Sequence, residues 1–170
     1  MKLLRVGIKN EEKPAILDDE ENIRDLSSEI NDFGPRTINF DTFEKIKELN
    51  IKKLPIINKN VRIGSCVSKP EKFIGIGLNY SDHAEEAGME IPKEPIIFMK
   101  ANSSISGPHD DVIIPLNSKK ADWEIELGVV IGKEAKNINK ENSQDYIFGY
   151  CIVNDISERE FQLERSGTWD

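Results

Sequence analysis

The sequence predicts a mixed α+β chain, mainly β, with a small α+β domain at residues 1–66 and a second domain at residues 67–170. Three observations lead there. Short apolar runs recur between Gly, Pro, Asn and Asp residues, as strands do between turns. Helical spacing is confined to a few short stretches. Strands and helices do not alternate regularly, which argues against a doubly wound sheet.

In chain order, Lys2–Ile8 and Lys13–Leu17 read as strands, and Ile23–Leu26 follows the polar turn Asp18-Asp19-Glu20-Glu21-Asn22. Asp41 is the expected N-cap of a helix whose Phe43, Ile46 and Leu49 fall at helical spacing. Asn50 and Pro55 mark its end. Lys72–Leu78 is a Gly-rich strand, and Asn79-Tyr80-Ser81-Asp82 caps a short helix, His83 to Gly88, that stops at the glycine. Further strands are expected at Pro95–Lys100, Asp111–Ile114, Trp123–Ile131 and Tyr150–Asn154. Lys133 to Gln144 reads as polar helix or loop, and Ser157 to Arg165 as helix. In Trp123–Ile131, Trp123, Ile125, Leu127, Val129 and Ile131 share one face, which reads as core. Glu124, Glu126 and Gly128 share the other.

Charged residues make up 32% of the chain and the formal net charge is −8. That balance excludes a nucleic-acid binder, which needs a basic face. A small anionic ligand must instead be drawn by a local site, and a divalent cation is one way to build such a site in an acidic protein. Cys66 and Cys151 form no CxxC pair and read as two reduced core thiols. The first residues lack the apolar core of a signal peptide, and no run approaches the ~18 apolar residues of a membrane helix. The expectation is a cytoplasmic protein with neither membrane nor nucleic-acid partners.

The chemistry concentrates in three groups. Glu124 and Glu126 lie one above the other on a strand face, roughly 7 Å apart, so their repulsion needs compensation by solvent or by a cation. Asp155 ends a strand at a strand-to-loop corner. Three carboxylates without a nearby Cys or His favour a hard, oxygen-seeking ion, meaning Mg²⁺, Mn²⁺ or Ca²⁺ rather than Zn²⁺. Taken by itself, a Glu-x-Glu pair more often marks an edge strand with a solvated acidic face. His83 and Glu86 sit three apart on one helical side, where a carboxylate can orient an imidazole as a general base. An exposed surface histidine is the bland alternative, and His109 in its turn-like loop reads that way. Tyr80, Lys100, Arg159 and Gln162 form the third group, and Arg159 with Gln162 could orient a carboxylate substrate.

The strings GLNYSDHAEEAG, EPIIFMK, SGPHDDVIIP, DWEIELGVVIGK, GYCIVNDISERE and FQLER, in this order and spacing, resemble the fumarylacetoacetate hydrolase family. Residues 1–65 resemble the family's small N-terminal domain more loosely. The wording is closest to the subgroup that hydrolyses 2,4-diketo-3-deoxy sugar acids, whose members are often labelled ureidoglycolate lyase. The resemblance implies a mixed β-roll catalytic domain, with Mg²⁺ or Mn²⁺ held by Glu124, Glu126 and Asp155. It implies a base dyad of His83 and Glu86 on a lid-like segment. It places Lys100, Arg159 and Gln162 at positions that touch the substrate or stand just behind it, with Tyr80 kept as a substrate-binding candidate from the residues, and it implies a homodimer.

The implied reaction is hydrolysis of a C–C bond in a 2,4-diketo acid. Decarboxylation or tautomerisation of an oxaloacetate-like acid is the alternative within the family, and an inactive remnant is the alternative outside it. Family members usually continue well past Asp170, through a catalytic Gly-Lys segment and strands that close the roll. Trp169 is out of place in a frayed tail. The expectation is therefore a fragment, with an incomplete roll that exposes unpaired edges and apolar surface.

Overall fold

The first three strands form because apolar residues can pair across short turns. β1 (Lys2–Val6), β2 (Lys13–Leu17) and β3 (Ile23–Asp25) are antiparallel neighbours, with Leu4 opposite Ala15 and Leu17 opposite Ile23. The computed structural model describes residues 1–165, so Trp169 lies outside the described residues. α1 (Phe40–Glu48) follows, and β4 (Ile56–Ile57) completes the sheet in the order β1-β2-β3-β4. Asn39, not Asp41, caps α1: its side chain accepts a hydrogen bond from the Thr42 amide at 2.8 Å. Either residue type can cap. Asn39 stands in the extended backbone conformation that the role needs, whereas Asp41 already lies within the helix.

The sheet and α1 enclose the core. Ile16, Leu26, Ile30, Phe33 and Ile46 pack together, and Val6, Ala15 and Ile23 form a second cluster. Each of the Ile, Leu, Val and Phe side chains among them contributes roughly 1.5–3 kcal/mol on burial. Among the described residues, Ala84 is the one apolar side chain beyond residue 66 that is fully buried.

The remaining elements are hairpins. β5 (Ile74–Gly77) leads through α2 (Ser81–Glu86) to β6 (Ile96–Met99), its antiparallel partner. α2 begins two residues earlier than the sequence suggests, and Gly88, at φ +63°, ends it as expected. No strand forms at Asp111–Ile114: Val112, Ile113 and Ile114 are exposed and find no ladder before Pro115. β7 (Ala121–Asp122) pairs with β10 (Ser157–Glu158), and β8 (Ile125–Ile131) pairs with β9 (Ile147–Asn154). Lys140–Tyr146 is a 3₁₀ segment. The helix expected over Ser157 to Arg165 is instead the short strand β10 followed by a π-type turn, Glu160–Arg165. Glu158 forces that change. One carboxylate oxygen accepts from the Lys119 and Lys120 amides and the Ser118 hydroxyl, and the other accepts from the Phe161 amide.

β8 corrects the sequence reading most sharply. Its odd-numbered face, expected as core, faces outward: Trp123 is 69% exposed, Leu127 64% and Ile131 55%. On β9, Tyr150 and Ile152 are exposed on the same side. No layer covers this side among the described residues, so the half-buried face is the one bearing Glu124, Glu126 and Gly128.

Charge and aromatic contacts tie the hairpins to the front sheet. Arg5 binds Glu12 and Asp32, while Arg62 binds Glu12 and makes a bidentate pair with Asp110. Phe43 of α1 meets Phe148 of β9 edge-on, with ring centroids 6.0 Å apart. Among the described residues, no helix is long and apolar enough to cross a membrane.

Candidate active site

The β8–β9 register brings the acids together. Ile125 pairs with Asn154, and the Asp155 amide donates to the Glu124 carbonyl at 2.9 Å, so Asp155 stands beside Glu124. Glu126 lies one strand repeat further along. All three line one pocket, together with His83, Lys100, Arg159, Gln162, Asn79 and Ser157. β5 and β6 supply the opposite wall through Ile76, Gly77 and Phe98.

Each carboxylate already has a partner. Lys100 Nζ is 2.7 Å from Asp155 Oδ1, with both side chains mostly withdrawn from water. Arg159 reaches Glu124 at 2.8 Å and Asp122 at 2.9 Å, and donates to Gln162 at 2.9 Å. The Arg159 guanidinium holds the Asp122 carboxyl below its ordinary range. Ser157 Oγ donates to Glu124 at 2.9 Å, and Asn79 Nδ2 donates to Glu126 at 3.0 Å. Arg159 at Glu124 therefore offsets part of the repulsion that the strand pattern posed, Lys100 balances Asp155, and Glu126 is met by a neutral amide.

The remaining expected residues divide. His83 lines the pocket, but Glu86 is exposed and does not line it. Among the described residues, no hydrogen bond or ion pair joins the two. Tyr80 does not line the pocket either: its hydroxyl donates to the Ile125 carbonyl at 2.8 Å, pinning the β5–α2 corner to β8. That corner is strained at Leu78, whose φ of +49° is unusual for a side chain of its size. Sequence reasoning missed Asn79 and Ser157 as members of the site, and Asp122 as a second anchor of Arg159 behind it. Asn79 carried a signal, standing directly after a Gly-rich strand. Ser157 and Asp122 carried none beyond lying next to acids already singled out.

A hard divalent cation fits the donor chemistry of this pocket. The set is three carboxylates, and Asp155 Oδ1 is buried without a hydrogen bond, its lysine neighbour approaching outside hydrogen-bonding geometry. The carboxylates are spread among their protein partners: among the described residues, no three His, Cys, Asp or Glu side chains converge closely enough to hold an ion as they stand. Loading would require Lys100 and Arg159 to yield.

Comparisons with known proteins place the fold. The family model described as Fumarylacetoacetate (FAA) hydrolase C-terminal matches residues 72–169, more than half of the chain. A provisionally named hydrolase of Burkholderia ambifaria is 51% identical over all 170 residues, and the chain spans 60% of that relative's length. Fumarylacetoacetate hydrolase from Exiguobacterium antarcticum matches with a TM-score of 0.77 at 24% identity, over 96% of this chain and 58% of that one. Maleylpyruvate hydrolase from Sphingobium sp. SYK-6, solved with manganese(II) and pyruvate, matches with a TM-score of 0.75 at 24% identity, over 94% of this chain and 60% of that one. At such identities these two structures speak to the fold.

Proposed function

Because the chain belongs to the fumarylacetoacetate hydrolase family, we propose that it hydrolyses a C–C bond in a 2,4-diketo acid of the acylpyruvate or 2,4-diketo-3-deoxy sugar acid type. The observation that carries this reading is the convergence of Glu124, Glu126, Asp155, Lys100, Arg159 and His83 on one pocket. The manganese and pyruvate in the Sphingobium structure support the same chemistry. A divalent cation held by Glu124, Glu126 and Asp155 would polarise the two keto oxygens and stabilise the enolate that departs.

The chain's own residues do the rest. Lys100 and Arg159 exchange Asp155 and Glu124 for the substrate carboxylate, with Gln162 fixing the guanidinium. His83 takes a proton from water at an imidazole nitrogen, and the resulting hydroxide adds to the far carbonyl. Glu86, three residues on along the same helical side, orients the imidazole once its side chain swings in. The C–C bond then breaks, releasing a carboxylic acid and a pyruvate-type enolate that picks up a proton.

The test is turnover of an acylpyruvate, read as pyruvate release, beside Mn²⁺ titration. His83→Ala should keep Mn²⁺ binding and lose ~10²–10⁴-fold in turnover. Glu126→Ala should lose both, and full Mn²⁺ affinity in that variant overturns the ligand assignment. Undiminished product from His83→Ala would favour decarboxylation or tautomerisation of an oxaloacetate-like acid, which needs less water activation. Neither Mn²⁺ binding nor turnover in the unaltered chain would leave the inactive remnant.

A further inference from the structure

Every nitrogen of the Arg159 guanidinium is engaged. Its Nε donates to Asp122 at 2.9 Å, one terminal nitrogen donates to Gln162 at 2.9 Å, and the other pairs with Glu124 at 2.8 Å. When a substrate carboxylate displaces Glu124, Asp122 and Gln162 are the partners left to aim the guanidinium. They come from separate segments, Asp122 from β7 and Gln162 from the Glu160–Arg165 turn. Those segments must be held together around Arg159.

Glu158 holds them, although it does not line the pocket. One carboxylate oxygen accepts from the Ser118 hydroxyl at 3.0 Å and from the Lys119 and Lys120 amides at 3.1 and 2.8 Å. These donors stand immediately before β7, and so set the place of Asp122. The other oxygen accepts from the Phe161 amide at 2.8 Å, one residue before Gln162. The Arg159 amide closes the same seam by donating to the Lys120 carbonyl at 2.9 Å. The β7–β10 ladder adds little, with Ser157 opposite Asp122 and Glu158 opposite Ala121 as its whole extent. Donors that converge on one carboxylate from both sides suit an anion. Desolvation works against that charge, yet the Phe161 and Lys120 amides and the Ser118 hydroxyl hold the Glu158 carboxyl down to about 2, so the tie is intact at neutral pH.

We infer that Glu158 is a positioning residue: by fixing Asp122 on one side and Gln162 on the other, it keeps Arg159 aimed into the pocket while Glu124 gives way to the substrate carboxylate. This role rests on the proposed function, in which Arg159 receives that carboxylate. Glutamine at 158 would supply a single acceptor oxygen and turn an NH₂ group toward one set of donors.

The experiment compares an acylpyruvate with its methyl ester on the 170-residue chain with Mn²⁺, both read as loss of the diketone absorbance. In Glu158→Gln the ratio of kcat/KM for the acid over the ester should fall about tenfold, chiefly through a raised KM for the acid. A merely structural fault would slow both substrates alike and leave the ratio unchanged. The second readout is the Nε–H resonance of Arg159 in the isotope-labelled chain, identified by its absence from Arg159→Lys. Its exchange with solvent should be about tenfold faster in Glu158→Gln than in the unaltered chain. That signal needs no turnover, so it decides the role of Glu158 even where hydrolysis is absent and the proposed function alone has failed. An unchanged ratio, or an unchanged Arg159 signal, overturns the inference. If Glu158→Gln unfolds, Ser118→Ala takes its place by removing one donor: a smaller change in the same direction is expected, and no change overturns the inference.

Discussion

Replacing Lys100 with methionine tests the balance of charge in the pocket. At present three carboxylates face two cations, with Lys100 Nζ 2.7 Å from Asp155 Oδ1 and both side chains mostly out of water. A divalent ion taking Asp155 must displace that ammonium. A hydrogen bond to a charged group is worth about 1.5–3 kcal/mol. The contact here lacks hydrogen-bonding geometry, so the lower figure applies, and ~1.5 kcal/mol is about a tenfold change in affinity. Lys100→Met should therefore bind Mn²⁺ roughly ten times more tightly, while turnover falls because the substrate carboxylate loses a partner. Methionine keeps most of the apolar stem, so the packing change is small. Isothermal titration at near-neutral pH reads the affinity, with circular dichroism checking the fold. Unchanged or weaker binding by a folded Lys100→Met chain would refute the reasoning, since Lys100 could not then be competing for Asp155.

The other predictions concern the scaffold. Arg62→Met removes the bidentate hold on Asp110 and one of the two partners of Glu12, so the thermal midpoint should fall by several degrees; no shift would show that the network is idle. Arg62 holds the Asp110 carboxyl well below its ordinary value of 3.8. A carboxyl depressed in the folded state lends stability that is complete above its unfolded value and drains away as pH falls through its folded one. Acid melts below pH 3.8 should therefore steepen for the unaltered chain relative to Asp110→Asn. Ile46→Ala should cost 2–5 kcal/mol in urea melts, roughly the price of a core cavity. Leu127→Gln on the outer face of β8 should stay within about 0.5 kcal/mol and reduce binding of an apolar dye; a loss as large as that of Ile46→Ala would place Leu127 in a core.

Most strands were legible because alternation and turn residues are local signals. Lys13–Leu17 appears where its sequence puts it, and Tyr150–Asn154 forms the second half of a strand that starts earlier. The misses share one cause, which is that a local pattern cannot say what lies opposite. Asp111–Ile114 has the composition of a strand but no partner to pair with. Ser157 to Arg165 has helical composition, yet Glu158 gathers three amides and a hydroxyl and bends the chain into a bridge and a wide turn. The same limit governs β8. Alternation marks two faces without saying which is inward, and apolarity pointed to the odd one. The front sheet and the β5–β6 hairpin lie on the even side.

That inversion explains how the pocket exists. Had the apolar face of β8 turned toward β5 and β6, Glu124 and Glu126 would be solvated edge residues, the outcome such pairs commonly meet. Turned inward, they must be neutralised. Lys100 arrives from the end of β6 and Arg159 from beyond β10, and neither could be matched to its carboxylate by spacing in the sequence. Spacing could place the acids, since they share one strand face and one strand end. Their cations come from elements joined only by tertiary packing. A pocket whose acids and bases hold each other in place, with Asp155 Oδ1 buried in an ion pair that lacks hydrogen-bonding geometry, is set up to exchange internal ion pairs for those of a charged ligand.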